Sequence, residues 1–412
     1  MPRPLSILCI LRDPLPPRRA DVLTLFGVEL PRHGIRTALV GQAESPPASA
    51  SAPASARATW PGGALHLAGR FGGAVNSALA PLFDSIGLLR GFRVARPDCL
   101  QVRDKVVIAV LARLFAALLH IPLVYWMSFP IVEGYAARAQ DGHVRGSWLP
   151  CLQWLQWLRA WSTRALLYRL VLPGAALVFV QSAAMADAMA ARGLPRSRLV
   201  AVPMGVDLAL VNTIIPATDP RLDGRTIIVY LGSVARARAS TFLLDLAAAL
   251  DRPGVLLVIA GDAPSPDEAA WFRAELARRD LGDKILFTGW LAHAAALGYV
   301  ARAQVAIAPI PRGVLFDVSS PTKLVEYLAL GIPAVASDIP DQRFVLEQSG
   351  AGHCVPMTVP AFHAAIVRLL DDPNRRAHGE RGQAWVRAHR GYDVIGREVA
   401  AHYRGLLAPG EA

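Results

Sequence analysis

Short unbroken runs of Val, Ile and Leu recur along the chain, each followed by a longer stretch of helical patterning. In the first half they fall at Leu5–Leu11, Arg36–Val40, Cys99–Val102, Pro122–Trp126, Leu177–Val180 and Leu199–Val202. In the second half they fall at Thr226–Leu231, Val255–Ala260, Ile285–Thr288, Val305–Pro309, Ala334–Ala336 and His353–Val355. The runs rarely alternate apolar with polar residues, which is the pattern of strands buried on both faces. Strands of that kind separated by helices make parallel sheets covered on both sides. A chain of 412 residues, at about 150 residues per domain, accommodates two such units. The expected architecture is α/β, two Rossmann-like doubly wound domains. The boundaries fall at 1–208 and 209–392, with a closing helix at 393–412 and a turn-rich linker starting at Pro203. Residues 45–58 are low in complexity and read as a loop.

Composition removes several alternatives. With 53% hydrophobic and 18% charged residues, the chain is too apolar for a disordered protein. No apolar run reaches the ~18 residues of a membrane span. Val106–Met127 is interrupted by Arg113, His120 and Pro122, and Ala165–Val180 by Arg169 and Pro173. A multi-spanning protein is excluded, and a surface-bound one is not. Cys9, Cys99, Cys151 and Cys354 form no CxxC pair, so neither a zinc ribbon nor a disulfide scaffold is expected, and a reducing compartment fits. Arg12-Asp13 closes the first apolar run without a small-residue cleavage site. That run reads as a strand rather than a signal peptide.

Charge is unevenly spread. The net charge is +11, and residues 1–208 hold 22 lysines and arginines against 11 acids, while the remainder holds 21 of each. A basic half beside a neutral half suggests an anionic partner: nucleic acid, an anionic membrane or a phosphorylated lipid. Arginine-rich composition alone is the plainer explanation. Trp154, Trp157 and Trp161 share one face at helical spacing with Leu158, Ala165 and Tyr168, flanked by Arg164 and Arg169. Such a face suits an interfacial helix lying on an anionic membrane surface or an aromatic seam in a core. The sequence leaves both open. No nucleic-acid reader motif accompanies the charge, so no nucleic-acid partner is expected.

The segment from Ser319 to Pro333 (SSPTKLVEYLALGIP) reads as a short helix with both ends marked. Ser320 is the expected N-cap and Pro321 the first helical residue. Gly331 follows the helix and Pro333 prevents its continuation. A helix start rich in small residues offers free N–H groups to an anion. Lys323 adds a charge in the first turn, and Glu326 lies on the same face three residues later. The pair suits a nucleoside diphosphate, Lys323 on phosphate and Glu326 on ribose hydroxyls. An ordinary capped helix with an ion pair fits equally well. Earlier, the strand ending at Leu231 runs into Gly232-Ser233-Val234-Ala235-Arg236-Ala237-Arg238. A glycine there permits close approach of a ligand, and Arg236 or Arg238 could clamp phosphates.

Together these segments resemble the GT-B-fold retaining glycosyltransferases of family 4 (glycosyl transferases group 1). Gly232 with Arg238 is similar to the family's glycine and its basic residue six positions on. Phe287-Thr288-Gly289-Trp290 resembles the turn beside the nucleobase. Pro203–Asp207 resembles the hinge motif, and Lys323–Pro333 the family's lysine–glutamate signature. The resemblance implies two domains facing a cleft, the first binding acceptor, the second binding a nucleotide-sugar, and a final helix packing back on the first. It assigns Arg238, Lys323 and Glu326 to catalysis. Gly232, Ser233, Ser319, Ser320, Thr322, Gly289 and Trp290 are assigned to the donor. Two positions depart from the pattern. Val318 stands where many members carry a first glutamate, with Asp317 one residue off, and Ser233 stands where an arginine is usual.

In the first domain the family's glycine-rich loop is replaced by Arg12–Asp21. Arg18 and Arg19 are expected to meet a phosphate and Asp21 a sugar hydroxyl. Ser128 and Glu133, after the strand ending at Trp126, are further candidates for the acceptor; solvated loops are the alternative. The implied reaction moves a sugar from a UDP- or GDP-sugar to a glycolipid hydroxyl. A polyprenyl-diphosphate-linked saccharide on the cytoplasmic face of a bacterial plasma membrane is the expected acceptor, and surface polysaccharide the expected product. No cofactor and no metal are expected, since no DxD pair lies near the motifs and the ten histidines lack ligand spacing. A soluble acceptor and a catalytically silent nucleotide-binding scaffold are the competing readings.

Overall fold

Two all-parallel sheets organise the chain in the computed structural model, which describes residues 3–17, 19–43, 60–140 and 150–408. The first holds β1 (Leu5–Ile10), β2 (Ile35–Ala43), β3 (Leu65–Arg70), β4 (Cys99–Arg103), β5 (Leu123–Met127), β6 (Leu177–Val180) and β7 (Leu199–Ala201). Their order is β3-β2-β1-β4-β5-β6-β7. The second holds β8 (Thr226–Leu231), β9 (Val255–Ala260), β10 (Ile285–Phe287), β11 (Val305–Ala308), β12 (Ala334–Ser337) and β13 (Gly352–Val355), in the order β10-β9-β8-β11-β12-β13. In each sheet the strand order reverses beside the first strand, and open α/β sheets bind ligands at the carboxyl ends around that point. The structure adds one strand to those expected. β3 lies at a sheet edge with most of its side chains partly or fully exposed, so its sequence, LHLAGR, carries no continuous apolar run.

Met1–Pro203 and Tyr392–Ala412 form one unit, and Met204–Gly391 the other. In the first, an aromatic stack fills the core on one side of the sheet. Phe26 meets Trp126 at 4.9 Å between ring centroids, Trp126 meets Phe179 at 4.7 Å, and Phe179 meets Tyr403 at 5.4 Å. Tyr403 comes from the final helix, Tyr392–Leu407, and its hydroxyl bonds to Gln101 of β4. Burial of Tyr392, Ile395, Val399 and Tyr403 on one face holds that helix to the sheet. A buried aromatic side chain contributes about 1.5–3 kcal/mol of burial energy.

The second unit shows why its strands do not alternate. Ile228, Tyr230, Leu257 and Ile259 enter one core, while Val229, Leu231, Val258 and Ala306 enter another. Both faces of the sheet are covered, so both sets of positions must be apolar. Residues that follow Pro203 belong to this unit: the Val206 N–H donates to the Arg390 carbonyl at 2.8 Å, and Val211 and Leu222 are buried in its core.

Candidate functional site

β8 and β11 pair over only two residues, Val305 with Ile228 and Ala306 with Val229. Beyond that point one side chain joins them. The buried Tyr327 hydroxyl accepts the Leu231 N–H at 2.8 Å and donates to the Ile307 carbonyl at 3.1 Å. Tyr327 belongs to the helix Thr322–Ala329, so this bond fixes the helix at the place where the sheet order reverses. Leu324, Val325 and Leu328 anchor it in the core. The amides of Thr322, Lys323 and Leu324 open the helix, and the first turn of a helix has no carbonyl of its own to satisfy them.

The helix begins one residue later than the sequence suggests. Pro321 is the cap residue, with an extended ψ of 125° and no side-chain cap bond. Ser320 is therefore not the N-cap. Its hydroxyl accepts the Met204 N–H at 3.0 Å and an Arg390 N–H at 3.2 Å, and donates to Asp341 at 2.7 Å. Arg390, itself buried, also donates to Asp341 at 2.7 Å. Ser320 is thus a brace within the second unit. The Ser319 hydroxyl donates to the Phe316 carbonyl at 2.7 Å, closing the preceding turn.

Lys323 is the unusual member. Its Nζ is shielded from water, makes no hydrogen bond among the described residues, and rests 4.1 Å from the Tyr230 ring centroid. Burial, with the nearby charge of Arg238, pulls its pKa below the ordinary lysine value. Gly232 is its neighbour: a Cβ at that position would lie 3.1 Å from Nζ, and the backbone there has φ +136°. The two arginines that the sequence left as alternatives differ. Arg236 is engaged by Glu268 at 3.3 Å and stacks on Trp271 at 4.4 Å. Arg238 is exposed and carries no ion pair among the described residues.

Glu326 is buried, and its Oε1 lies 2.9 Å from His293 Nε2. His293 opens the helix His293–Val300, and its bond to Glu326 raises its pKa above the ordinary value, against the opposing effect of burial. Sequence reasoning missed His293, because its partner lies 33 residues away. It also missed Gly261. Three strand ends stand side by side, each closing on a glycine of positive φ or leading into one: Gly232 after β8, Gly261 after β9 and Gly289 after β10. A Cβ on Gly261 would collide with the Gly232 carbonyl. Gly261 and Gly289 form an isolated bridge. The signal was present, since Gly261 directly follows an apolar run as Gly232 does. Trp290 beside this ledge is 79% exposed. Ser233 is exposed, and its carbonyl accepts from the Tyr230 hydroxyl at 3.0 Å. Asp317, one residue from the missing glutamate position, is clamped by Arg312 at 2.7 Å.

In the first unit, Asp21, Arg103, Asp104 and Ser128 form one buried cluster at the strand ends. Arg103 is wholly buried and pairs with Asp21, while Asp104 accepts from the Ser128 amide at 2.9 Å and from its hydroxyl. Burial alone would raise the Asp21 pKa, but the charges of Arg103 and Arg19 hold it below the ordinary value. Asp104 is raised by burial despite Arg103. Arg19 is spent on Asp21, its Nε 3.0 Å away. Arg18 lies outside the described residues. Glu133 accepts from the Tyr168 hydroxyl at 2.8 Å and pairs with Arg192 at 3.1 Å, which ties it into the helices around it. Trp154, Trp157 and Trp161 are 62%, 46% and 68% exposed. The aromatic face is therefore not a core seam.

Comparison with known proteins adds identity to this geometry. Residues 21–205 match the family model described as Glycosyl transferase 4-like domain, and residues 225–372 match Glycosyl transferases group 1. The chain is 28% identical over 190 residues to alpha-D-kanosaminyltransferase of Streptomyces kanamyceticus, covering 45% of this chain and 47% of that protein. It is 30% identical over 227 residues to phosphatidyl-myo-inositol mannosyltransferase of Mycolicibacterium smegmatis, covering 52% of this chain and 54% of that protein. The chain thus spans about half the length of these relatives. Among solved structures, Anabaena HepE in complex with UDP and glucose superposes with a TM-score of 0.67 at 15% identity, over 97% of this chain and 100% of that one. With both units matched and the fold shared, the chain belongs to the group 1, family 4 glycosyltransferases of GT-B fold.

Proposed function

We propose that the protein is a retaining glycosyltransferase that moves a sugar from a UDP- or GDP-sugar to a hydroxyl of a membrane-associated glycolipid, with a polyprenyl-diphosphate-linked saccharide the expected acceptor in bacterial surface polysaccharide assembly. One observation carries the donor half: the Lys323 ammonium, out of water and without a hydrogen-bond partner among the described residues, beside Gly232 and the open end of the 322–329 helix. A buried ammonium without a partner is costly, and a diphosphate supplies what it lacks. The resemblance of HepE, held in complex with UDP and glucose, supports a uridine donor. The mannosyltransferase relative, named for a phosphatidylinositol, supports a lipid acceptor.

In this reading the diphosphate lies against the amides of Thr322, Lys323 and Leu324, with Lys323 and Arg238 meeting the charge that grows on the leaving phosphate. Glu326, oriented by His293, accepts from the ribose hydroxyls. Gly232, Gly261 and Gly289 let the nucleotide approach the backbone, and Trp290 offers a ring to the base. The acceptor hydroxyl attacks the anomeric carbon on the face that the phosphate leaves. The carbon–phosphate-oxygen bond breaks, the new glycosidic bond forms, and the hydroxyl proton passes to the departing phosphate oxygen. No side-chain nucleophile and no metal enter these steps. The basic first unit, with its exposed tryptophans, takes the acceptor at the cytoplasmic membrane face. Among the described residues no helix is long and apolar enough to cross a membrane.

The test is transfer of labelled sugar from UDP- and GDP-sugars into a bacterial lipid extract, with and without EDTA, for the wild type and Lys323→Ala. Label in the organic phase that survives EDTA and disappears in the variant is the expected result. Nucleotide binding without transfer to lipid or to any soluble acceptor would favour the silent scaffold, a reading that Val318 and the clamped Asp317 keep in view.

A further inference from the structure

The first unit holds a second site, which adjoins the buried Asp21–Arg103 cluster at Asp104. A cavity of about 590 Å³ opens at the carboxyl ends of β1, β2, β3 and β4. Its walls are the helix Ala74–Val94, the start of Val107–Leu119 and the helix Pro150–Ala165. Its charges do not cancel. Asp84 is satisfied by Lys105 at 2.7 and 2.8 Å and by Gln42 at 2.7 Å. Asp104 is satisfied by Ser128 and lies beside Arg103. Both carboxylates are thereby hydrogen-bonded within the protein, Asp84 to a lysine and Asp104 to a serine with Arg103 3.9 Å away. Arg12, Arg70 and Arg159 line the same cavity, and none has a carboxylate partner among the described residues. Arg159 is held in place by stacking on Tyr135, 4.7 Å from the ring centroid. Three uncompensated guanidinium groups around one space call for an anion with several oxygens, and the planar fork of arginine matches phosphate.

The rim has the opposite character. Phe71, Val107, Leu155 and Leu158 line the cavity and are exposed apolar side chains. Further exposed apolar residues lie on the three helices that wall the cavity: Val75, Leu79 and Leu82 on the first, Leu111, Leu114 and Leu118 on the second, Trp154, Trp157 and Trp161 on the third. Apolar surface on this scale is rare on a soluble monomer and marks an interaction face. A cationic pocket ringed by apolar helices fits one kind of molecule, an amphiphile whose phosphate sits inside while its hydrocarbon lies along the rim.

We propose that this cavity binds the phosphate or diphosphate headgroup of a lipid presented by a bilayer, with Arg12, Arg70 and Arg159 as its ligands and the exposed faces of the three helices resting in the membrane surface. The inference rests on the lipid-acceptor reading above, and it names the residues that recognise the lipid. A basic side chain at a membrane surface contributes about fivefold in affinity, so removing all three costs roughly a hundredfold.

The experiment is vesicle co-sedimentation. Phosphatidylcholine vesicles doped with an isoprenyl diphosphate are compared with vesicles given equal surface charge by phosphatidylglycerol, using wild type and Arg12→Gln/Arg70→Gln/Arg159→Gln. The wild type is expected to prefer the diphosphate vesicles, and the triple variant to lose that preference. An Arg→Lys triple variant should recover part of it. Equal binding to both vesicle types would overturn the site in favour of diffuse charge attraction. Inorganic pyrophosphate competing as well as the lipid does would overturn the role of the apolar rim. Thermal stabilisation by UDP or GDP is read on the same proteins. If it persists while the vesicle preference is absent, the lipid site fails and the donor reading stands. If nucleotide stabilisation is absent in the wild type, the donor reading fails on its own.

Discussion

Replacing Lys323 by methionine should move stability and binding in opposite directions. The side chain keeps its length and apolar stem but loses the ammonium. That ammonium is shielded, makes no hydrogen bond among the described residues and is only partly compensated by the Tyr230 ring 4.1 Å away. An unsatisfied buried polar group costs about 1–3 kcal/mol and more when charged, while a cation over an aromatic face returns about 1–2 kcal/mol. The balance leaves a penalty of about 1 kcal/mol, and for a unit of this size that is about 2–4 °C in Tm. Lys323→Met should therefore raise Tm without nucleotide by that amount. It should also weaken nucleoside diphosphate binding by about 1.5–3 kcal/mol, the value of a hydrogen bond to a charged group, or about 10- to 150-fold.

The pH dependence has a definite sign. The folded-state pKa of Lys323 is lowered from 10.5, so the folded protein gives up this proton more readily than the unfolded chain does. Its penalty is present in full below the folded value and is relieved as pH rises from there toward 10.5. The gap between variant and wild type should narrow over that window, and diphosphate binding to the wild type should weaken over the same window. Differential scanning fluorimetry across pH, with and without UDP or GDP, measures all of this. A variant that is less stable than wild type at neutral pH and binds nucleotide normally would refute the reasoning, because Lys323 would then be a packing residue.

Three further outcomes follow from the geometry. Gly261→Ala places a Cβ against the Gly232 carbonyl at φ +150°, and the backbone conformation alone should cost about 1–3 kcal/mol, read by urea unfolding, with nucleotide affinity falling as the ledge shifts. Asp21→Asn leaves the wholly buried Arg103 without its main partner, and breaking a buried pair should cost about 3–5 kcal/mol; loss of less than 1 kcal/mol in a urea titration would mean that Asp104 carries the charge instead. The raised pKa of His293, held by Glu326, adds stability that is full below its unfolded value and lost as pH rises through the folded one. His293→Ala should thus destabilise more in acid than in base, the pH-dependent part being no more than about 0.5 kcal/mol because the His293 side chain is 45% exposed.

Much of the fold was legible because both sheets are buried on both faces. Ile227 to Leu231 must be apolar at every position, since neighbours in sequence enter different cores, and a run of that kind is visible without any structure. β3 was not legible, because an edge strand needs no such run. At the proposed donor site, Gly232, Lys323 and Glu326 stood out through local signals, a glycine after a strand and a charge at a helix start. Arg236 and Arg238 look alike in sequence, and only the positions of Glu268 and Trp271 separate the occupied one from the open one.

Ser320 teaches the same lesson in reverse. Its place before a proline at a helix start made it look like a cap, yet its hydroxyl is taken by Met204, Arg390 and Asp341, which lie far away in the chain. The sequence by itself determined the parallel sheets and the covered faces, and it marked the glycine and lysine of the proposed anion site, because backbone conformation and strand patterning are set by residues close in sequence. Tertiary structure alone decided which charges are free. Arg19 is neutralised by Asp21 and Asp84 by Lys105, whereas Arg12, Arg70 and Arg159 line one cavity without a carboxylate partner among the described residues. Ion pairing depends on distances of a few ångströms between segments tens of residues apart, and no local pattern in the sequence records it.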